Sequence, residues 1–135
     1  MSSRGSAIKN GHVTSTEYET LKTTQHSVKI LKGLDNNHSL PDFAHTPNSI
    51  YAKMKYDGET IHEMRFYDKN GYPIIEIAYH PEPKINAGNR EKNIVHFHTF
   101  TGVNRNPHAY RIDKNPDIKE KYKIYLKEFK LYDKC

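Results

Sequence analysis

A turn signal between two alternating segments constrains the fold of this chain more than any other feature. The turn residues Asp68 to Gly71 read Asp-Lys-Asn-Gly, a pattern typical of loops between paired strands. Apolar and polar residues alternate on both sides, over residues 63–67 and 72–80. Because successive side chains of a strand point to opposite faces, this alternation predicts an antiparallel hairpin with one apolar and one polar face.

Two other segments predict strands that extend the hairpin into a four-stranded antiparallel sheet. The first, Ile50 to Tyr56, precedes the hairpin and ends at Asp57 and Gly58. The second, Ile94 to Phe100, follows a long loop. Both alternate apolar with polar residues, which is the period of a half-buried strand. We therefore expect a three-stranded meander with a fourth strand beside it.

The register of the hairpin decides which side chains share a face. A four-residue loop from Asp68 to Gly71 sets Met64 opposite Ile75 on the apolar face, where His62 also falls. It sets Glu63 beside Glu76 on the polar face. The expected core residues are Met64, Phe66, Ile75, Ile77 and Phe97. The polar face is expected to gather Lys53, Glu63, Arg65, Tyr67, Glu76, His80, His96 and His98.

Two helices are predicted to cover the apolar face. Thr14 and Glu17 fit a capping box that begins the first helix, and Gly33 fits its end. The second helix begins with Asn115 as N-cap and Pro116 in its first turn. The apolar stripes at helical spacing are Tyr18, Leu21, Val28 and Leu31 in the first helix, and Ile118, Tyr122, Tyr125, Leu126 and Phe129 in the second.

Length and composition favour a single domain of the α+β class. We interpret residues 1–12 as a flexible lead-in and residues 13–135 as one domain with an N-terminal helix, the sheet and a C-terminal helix. Cys135 is the only cysteine, which excludes an intramolecular disulfide. The net charge of +5 favours a polyanionic partner. No apolar run approaches a membrane span, so we expect no membrane partner.

The residue types on the polar face suit acid–base chemistry on a phosphate. Metal-independent cleavage of RNA needs a base for the 2′-hydroxyl proton, an acid for the leaving 5′-oxygen and a cation for the phosphate charge. Glu76 is the candidate base, and Arg65 is the candidate phosphate clamp. One of His80, His96 and His98 is the candidate acid, because imidazole changes charge near neutral pH. This chemistry requires no cofactor.

Four other residues are candidates for binding the substrate. Tyr67 is expected to stack on a base or to hydrogen bond a phosphate. Lys53 belongs to the same polar face. Lys84 and Arg90 lie in the loop after the hairpin, where basic side chains either contact phosphate or simply keep the loop soluble.

The same residues are compatible with other interpretations. His96 and His98 place two imidazoles on one side of a strand, and Glu76 or His80 would complete three ligands of a metal-dependent hydrolase. Alternatively, the acidic side chains and Arg65 form ordinary cross-strand ion pairs. The protein would then be a non-enzymatic module that binds nucleic acid.

The motif residues also resemble a known family. The run Met64 to Gly71, the Ile75-Glu-Ile77 strand, His80, and the closing run Val95 to His98 are similar to a small domain at the C-termini of phage minor head proteins and bacterial polymorphic toxins. Such domains are grouped with the barnase-EndoU-colicin-RelE-like ribonucleases. The resemblance covers roughly residues 45–100. It departs from the family pattern at Ala78, where a second acidic residue would stand.

This resemblance implies a toxin-like or phage-associated ribonuclease. It carries to Arg65, Glu76, His80, His96 and His98 as site residues. It implies RNA as the partner, with tRNA among the candidates, and an immunity or inhibitor protein as a further partner. It also implies a location in the cytoplasm of a bacterial host or target cell. Association with a virion, including as a non-enzymatic module, is the alternative.

Overall fold

The structure is a computed structural model of the chain, and it describes residues 7–9, 12–13, 18–33 and 39–135. Strands β1 to β11 lie at Ala7–Lys9, His12–Val13, Tyr18–Thr23, Val28–Gly33, Phe43–Ala44, Ile50–Met54, Ile61–Tyr67, Pro73–His80, Ile94–Thr101, Asn104–Arg105 and Tyr110–Arg111. Helices α1 and α2 lie at Pro116–Lys121 and Lys123–Glu128. Short 3-10 helices lie at Pro83–Ile85, Ile112–Lys114 and Tyr132–Lys134.

Over the residues that the structure describes, the main sheet is mixed and has eight strands. Its order is β10-β9-β8-β7-β6-β4-β3, and β11 also pairs with β9. The centre, from β6 to β9, is the antiparallel arrangement that the sequence predicted. However, β4 pairs with β6 in parallel and brings β3 with it, so the prediction of a four-stranded antiparallel sheet is wrong. The α+β class is confirmed.

The predicted N-terminal helix is wrong, because residues 18–33 form the β3–β4 hairpin. Its turn is closed by a 3.0 Å hydrogen bond from the backbone N–H of Ser27 to the carbonyl oxygen of Thr24. Val28 and Ile30 are buried against the main core, whereas Leu21 of the supposed apolar stripe is 55% exposed. Because β-branched residues fit strands better than helices, the hairpin is the better match to this segment. Residues 14–17, with the supposed capping box, lie outside the described residues.

The C-terminal helix begins where predicted but is divided into α1 and α2 at Tyr122. Asn115 occupies the N-cap position, yet its side chain does not cap the helix. It donates a 2.7 Å hydrogen bond from Nδ2 to the carbonyl oxygen of Arg111 instead. The helix therefore begins at the predicted residue, but the Asn115 side chain binds the Arg111 carbonyl and does not form the predicted N-cap hydrogen bond.

The core lies between the apolar face of the main sheet and the C-terminal helices. Met64 and Ile77 are paired across β7 and β8, and both are fully buried. The ring of Phe66 contacts the rings of Tyr122 and Tyr125, with centroids 4.7 and 5.0 Å away. The five predicted core residues are confirmed as buried: Met64, Phe66, Ile75, Ile77 and Phe97.

The predicted hairpin register is wrong by two residues. Arg65 lies opposite Glu76, and Met64 lies opposite Ile77 rather than Ile75. An irregularity where Tyr67 pairs with Pro73 produces the shift. A two-residue shift keeps each side chain on its face, because the side-chain period of a strand is two residues. The composition of each face therefore follows the prediction, except at Ile61 and His62, although the cross-strand partners differ.

The prediction that residues 1–12 are a flexible lead-in stays a prediction. Strands β1 and β2 lie at Ala7–Lys9 and His12–Val13. Together with β5 they form a second, three-stranded sheet in the order β2-β1-β5. Among the described residues, no helix has the length and apolar character needed to cross a membrane.

Candidate active site on the polar face of the sheet

Two rows of paired residues cross the polar face of the main sheet. What we call the Glu76 row contains Tyr51, Arg65, Glu76 and His98. What we call the Glu63 row contains Lys53, Glu63, Ala78, His96 and Arg111. Directly paired side chains have Cβ atoms about 5 Å apart. The predicted convergence of Arg65, Glu76 and a histidine on one face is therefore confirmed.

Glu76 is fully buried and accepts hydrogen bonds from two arginines. Nη2 of Arg65 lies 3.3 Å from its Oε1 atom, and Nη1 of Arg105 lies 3.2 Å from its Oε2 atom. The Arg65 side chain is 8% exposed, whereas the Arg105 side chain is 44% exposed. Burial opposes ionisation of Glu76, but the charges of Arg65 and Arg105 and a hydrogen bond from Glu63 lower its pKa. Glu76 is therefore a carboxylate with one buried and one accessible cationic partner.

A second carboxyl group, that of Glu63, lies diagonally across the rows from Glu76. Burial first, and then the charge of the Glu76 carboxylate, raise the pKa of Glu63 to about 8. Glu63 is therefore protonated at neutral pH and donates a hydrogen bond to Glu76. Two buried carboxyl groups thus share a single negative charge, which is held by Glu76.

Residues 39–44 cover one end of the polar face. Nη1 of Arg65 donates to the carbonyl oxygens of Leu40 and Pro41, at 3.2 and 3.1 Å. The hydroxyl of Tyr67 donates to the same oxygen of Pro41, and its ring contacts that of Tyr51, with centroids 5.1 Å apart. Tyr67 is only 3% exposed, so its predicted role in stacking on a base conflicts with its burial. One terminal nitrogen of Arg65 is likewise engaged in holding the fold.

Four histidine rings are in continuous contact at the other end of the face. His62 stacks on His80 at 5.0 Å, His80 meets His96 edge-on at 4.6 Å, and His96 meets His98 at 5.6 Å between centroids. The prediction that His62 lies on the apolar face is wrong, because an irregularity in β7 places Ile61 in the core and His62 beside His80. Burial lowers the pKa of His96 to about 4, and burial also lowers the pKa of His98 and of His62.

A carboxylate from outside the sheet completes a group of possible metal ligands. One ring nitrogen each of His96 and His98 and one carboxylate oxygen of Glu82 all lie within 4.8 Å of one another. Glu82 is half-buried and follows β8 closely. The metal alternative predicted from sequence named Glu76 or His80 as the third ligand. The structure brings Glu82 to that position instead.

The candidate substrate-binding residues are dispersed. Lys53 and His80 line one wide groove at the end of β8, together with His62. Other basic residues of this groove, which we call the basic groove, are Lys22, Lys32, Lys55 and Lys130. Lys84 and Arg90 are exposed in the connection between β8 and β9 and do not line it.

Sequence interpretation missed the roles of Arg105 and Glu82. Arg105 reaches Glu76 because the chain folds back after β9 at Gly102, whose φ of +59° suits a tight turn, and Arg105 then pairs with Phe100. That glycine was the only local signal. Glu82 stands between two prolines shortly after β8, and its distance from the histidines along the chain gave no signal.

Comparison with known proteins found no matching family model, no similar curated protein and no similar solved structure.

Proposed function

We propose that this chain cleaves RNA without a metal, at the accessible end of the Glu76 row. The observation that carries the proposal is the position of Glu76, between the buried Arg65 and the accessible Arg105, with His98 as its direct partner on β9. A base, an acid and two guanidinium groups are thus close enough to serve one phosphodiester.

Arg105 has two functions in this proposal. It covers Oε2 of Glu76 in the structure, and it is the guanidinium that a phosphate reaches from solvent. When a phosphate takes over Arg105, Oε2 becomes accessible to a ribose 2′-hydroxyl. The charge of Arg105 also helps to lower the pKa of Glu76, so that its neutralisation by phosphate makes Glu76 a stronger base.

Distances along the strands select the acid among the three candidate histidines. His80 and Glu76 are four residues apart on β8, which is about 13 Å along an extended strand and too far for both to act on one phosphate. His98 is directly paired with Glu76, whereas His96 is paired with Ala78 in the neighbouring row. We therefore assign protonation of the leaving 5′-oxygen to the imidazolium form of His98, although burial lowers the pKa of this ring. His80 lies in the basic groove, where the rest of the RNA would lie.

The basic groove, and the connection between β8 and β9 that carries Lys84 and Arg90, indicate a substrate with several phosphate groups. Lys53 in the basic groove, and Lys84 and Arg90 on the loop, are proposed to contact phosphates, which bind lysine and arginine without regard to base sequence. A toxin-like or phage-associated ribonuclease is the role we propose, with tRNA as one substrate to test. An immunity or inhibitor protein, and a location in the cytoplasm or on a virion, belong to the same proposal.

The experiment is an RNA cleavage assay with end-group analysis. Purified protein is incubated with tRNA, with a short RNA, and with the same strand carrying 2′-deoxyribose throughout, each with and without EDTA. We expect the RNAs to yield 2′,3′-cyclic phosphate ends in EDTA and the deoxy strand to survive, because the 2′-hydroxyl is the nucleophile. Binding without cleavage would favour the non-enzymatic module. Activity lost in EDTA and restored by zinc or manganese would favour the metal-dependent hydrolase.

A further inference from the structure

We propose that Glu82, His96 and His98 form a binding site for a divalent transition-metal ion of the zinc type. The site shares His98 with the proposed cleavage chemistry, but the metal-binding proposal does not depend on that chemistry. It rests on the spacing of three potential ligand atoms, all within 4.8 Å of one another, and on the hydrogen bonds that fix the two imidazoles.

Both imidazoles are held by their Nδ1 atoms. Nδ1 of His96 lies 2.8 Å from the carbonyl oxygen of Ile94, and Nδ1 of His98 lies 3.0 Å from that of Asn106. A carbonyl oxygen only accepts, so each Nδ1 carries the proton and each neutral ring has its lone pair on Nε2. A hydrogen bond from the second ring nitrogen to a carbonyl is the usual support for a histidine that binds a metal.

Nε2 of His96 gives an independent indication of a ligand. It is buried, and it has no hydrogen-bond partner among the described residues, in a side chain that is fully inaccessible to solvent. A buried acceptor without a partner has lost its hydrogen bonds to water and gained none in the protein, which is unfavourable. A bound cation would satisfy this atom, which cross-strand packing alone leaves without a partner.

The donor set selects the class of ion. Two imidazoles and one carboxylate suit Zn²⁺ and similar borderline ions, and they suit the oxygen-seeking Mg²⁺ and Ca²⁺ poorly. Ligand atoms around tetrahedral Zn²⁺ are roughly 3.3 Å apart, given bonds of about 2.0–2.1 Å. The ligand atoms here lie within 4.8 Å of one another, so binding requires them to close by up to about 1.5 Å. Glu82 can supply this movement because this residue is half-buried and lies outside the regular strands.

Occupancy has a consequence for the proposed ribonuclease. A cation on Nε2 of His98 takes the lone pair that would otherwise carry a proton to the leaving oxygen. Zinc is therefore expected to inhibit cleavage rather than to support it, if the proposed function holds. Metal binding itself is measured without RNA, so the two proposals can fail separately.

The test is calorimetric titration of the metal-free protein with Zn²⁺, together with the visible absorption of bound Co²⁺ and thermal unfolding. We expect one equivalent to bind, a tetrahedral Co²⁺ spectrum and a higher unfolding temperature. Glu82→Gln should weaken binding at least about tenfold, and His98→Asn should weaken it further. Glu91→Gln is the matched control, since Glu91 is an exposed carboxylate on the same connection.

Because Glu82 lies at the surface end of the site, its variant tests the proposal even if His98→Asn does not fold. Unchanged affinity in Glu82→Gln would overturn the assignment, and so would equal losses in Glu82→Gln and Glu91→Gln. No binding of Zn²⁺ or Co²⁺ by the wild-type protein would also overturn it.

Discussion

Glu63 donates a hydrogen bond from its protonated carboxyl group to the Glu76 carboxylate, although the two residues are only 7% and 0% exposed. The sequence predicted these residues as direct neighbours, but the register shift places them on a diagonal. With a single negative charge on the two carboxyl groups, the guanidinium groups of Arg65 and Arg105 leave the four side chains with a net charge of +1. The free energy of unfolding therefore depends on whether Glu63 is protonated.

Stability should depend on pH through Glu63. Its pKa is raised from 4.5 to about 8 on folding, so the folded state binds the proton more tightly than the unfolded state. The contribution of this proton to the free energy of unfolding is fully present below about pH 4.5. It is lost as pH rises through about pH 8. Glu63→Gln keeps a donor to Glu76 but cannot ionise. Relative to this variant, the wild type should lose up to about 1.4 kcal/mol of unfolding free energy per pH unit.

Urea unfolding of both proteins at several pH values across this range measures the difference directly. Glu76 has the opposite effect on the pH dependence of stability. Because its pKa is lowered on folding, its carboxylate stabilises the folded state, and this stabilisation is lost as pH falls. Comparing the two proteins removes most of that contribution, because the side-chain amide introduced by Glu63→Gln still donates to Glu76. Parallel stability curves for the two proteins would contradict the raised pKa of Glu63.

Truncation of Phe66 tests the assignment of the sheet faces. Phe66 is 6% exposed and packs on the rings of Tyr122 and Tyr125. Phe66→Ala should lower the unfolding free energy by about 3–5 kcal/mol, because it removes buried surface and leaves a cavity. Ile74→Ala is the control on the same hairpin, since Ile74 is 46% exposed. Equal effects of the two substitutions in chemical denaturation would mean that the faces are inverted.

Two glycines with similar backbone angles should respond differently to alanine. Gly71 and Gly58 have φ of +86° and +71°, a conformation that costs a residue with a Cβ about 1–2 kcal/mol. A Cβ at Gly58 would meet open space, whereas one at Gly71 would collide with the carbonyl oxygen of Ala44. The Gly71 carbonyl also accepts a 2.8 Å hydrogen bond from the Ala44 N–H.

We therefore expect Gly58→Ala to lower the free energy of unfolding by about 1–2 kcal/mol. Gly71→Ala should lower it clearly more, because strand β5 must move away to make room for the new Cβ. Thermal and urea unfolding of the two variants measure the difference. Similar costs would show that the contact between Gly71 and Ala44 is not maintained in solution.

The polar face was predictable because it depends only on local alternation. Arg65, Glu76 and His98 alternate with apolar residues on their strands, so each could be assigned to a face without knowledge of its partners. The cross-strand pairing was not predictable, because it depends on the irregularity at Tyr67 and Pro73. The exchange of faces at Ile61 and His62 comes from a second irregularity, where β7 meets β6.

The N-terminal region shows where periodicity fails. Tyr18, Leu21, Val28 and Leu31 match helical spacing, but Leu21 lies at a register irregularity and is exposed to solvent. Tertiary contacts decide the outcome, because Tyr18 and Leu31 pack with Leu40 in a second cluster against the polar face. The carbonyl groups that bind Arg65 come from an irregular segment, which has no periodic pattern to predict them.

Arg105 provides the sharpest test of the proposed cleavage site. Glu76→Gln is less informative, because removing a fully buried charge leaves Arg65 unpaired and typically costs about 3–5 kcal/mol of stability. The Arg105 side chain is 44% exposed, so Arg105→Met should fold with a loss on the order of 1–3 kcal/mol. Its cleavage of RNA should fall about 10²- to 10³-fold, since a donor to the developing phosphate charge is lost.

Arg105→Lys should recover part of this loss, because lysine retains the charge but not the two-pronged geometry of arginine. Arg111→Met is the matched control: Arg111 also binds a carboxylate, but its Nη2 atom lies 2.8 Å from Asp113 rather than beside Glu76. Cleavage rates of the four proteins are compared on one RNA at a temperature where all are folded by circular dichroism. If Arg105→Met cleaved as fast as Arg111→Met, Arg105 would have only a structural role and the active site would have to lie elsewhere.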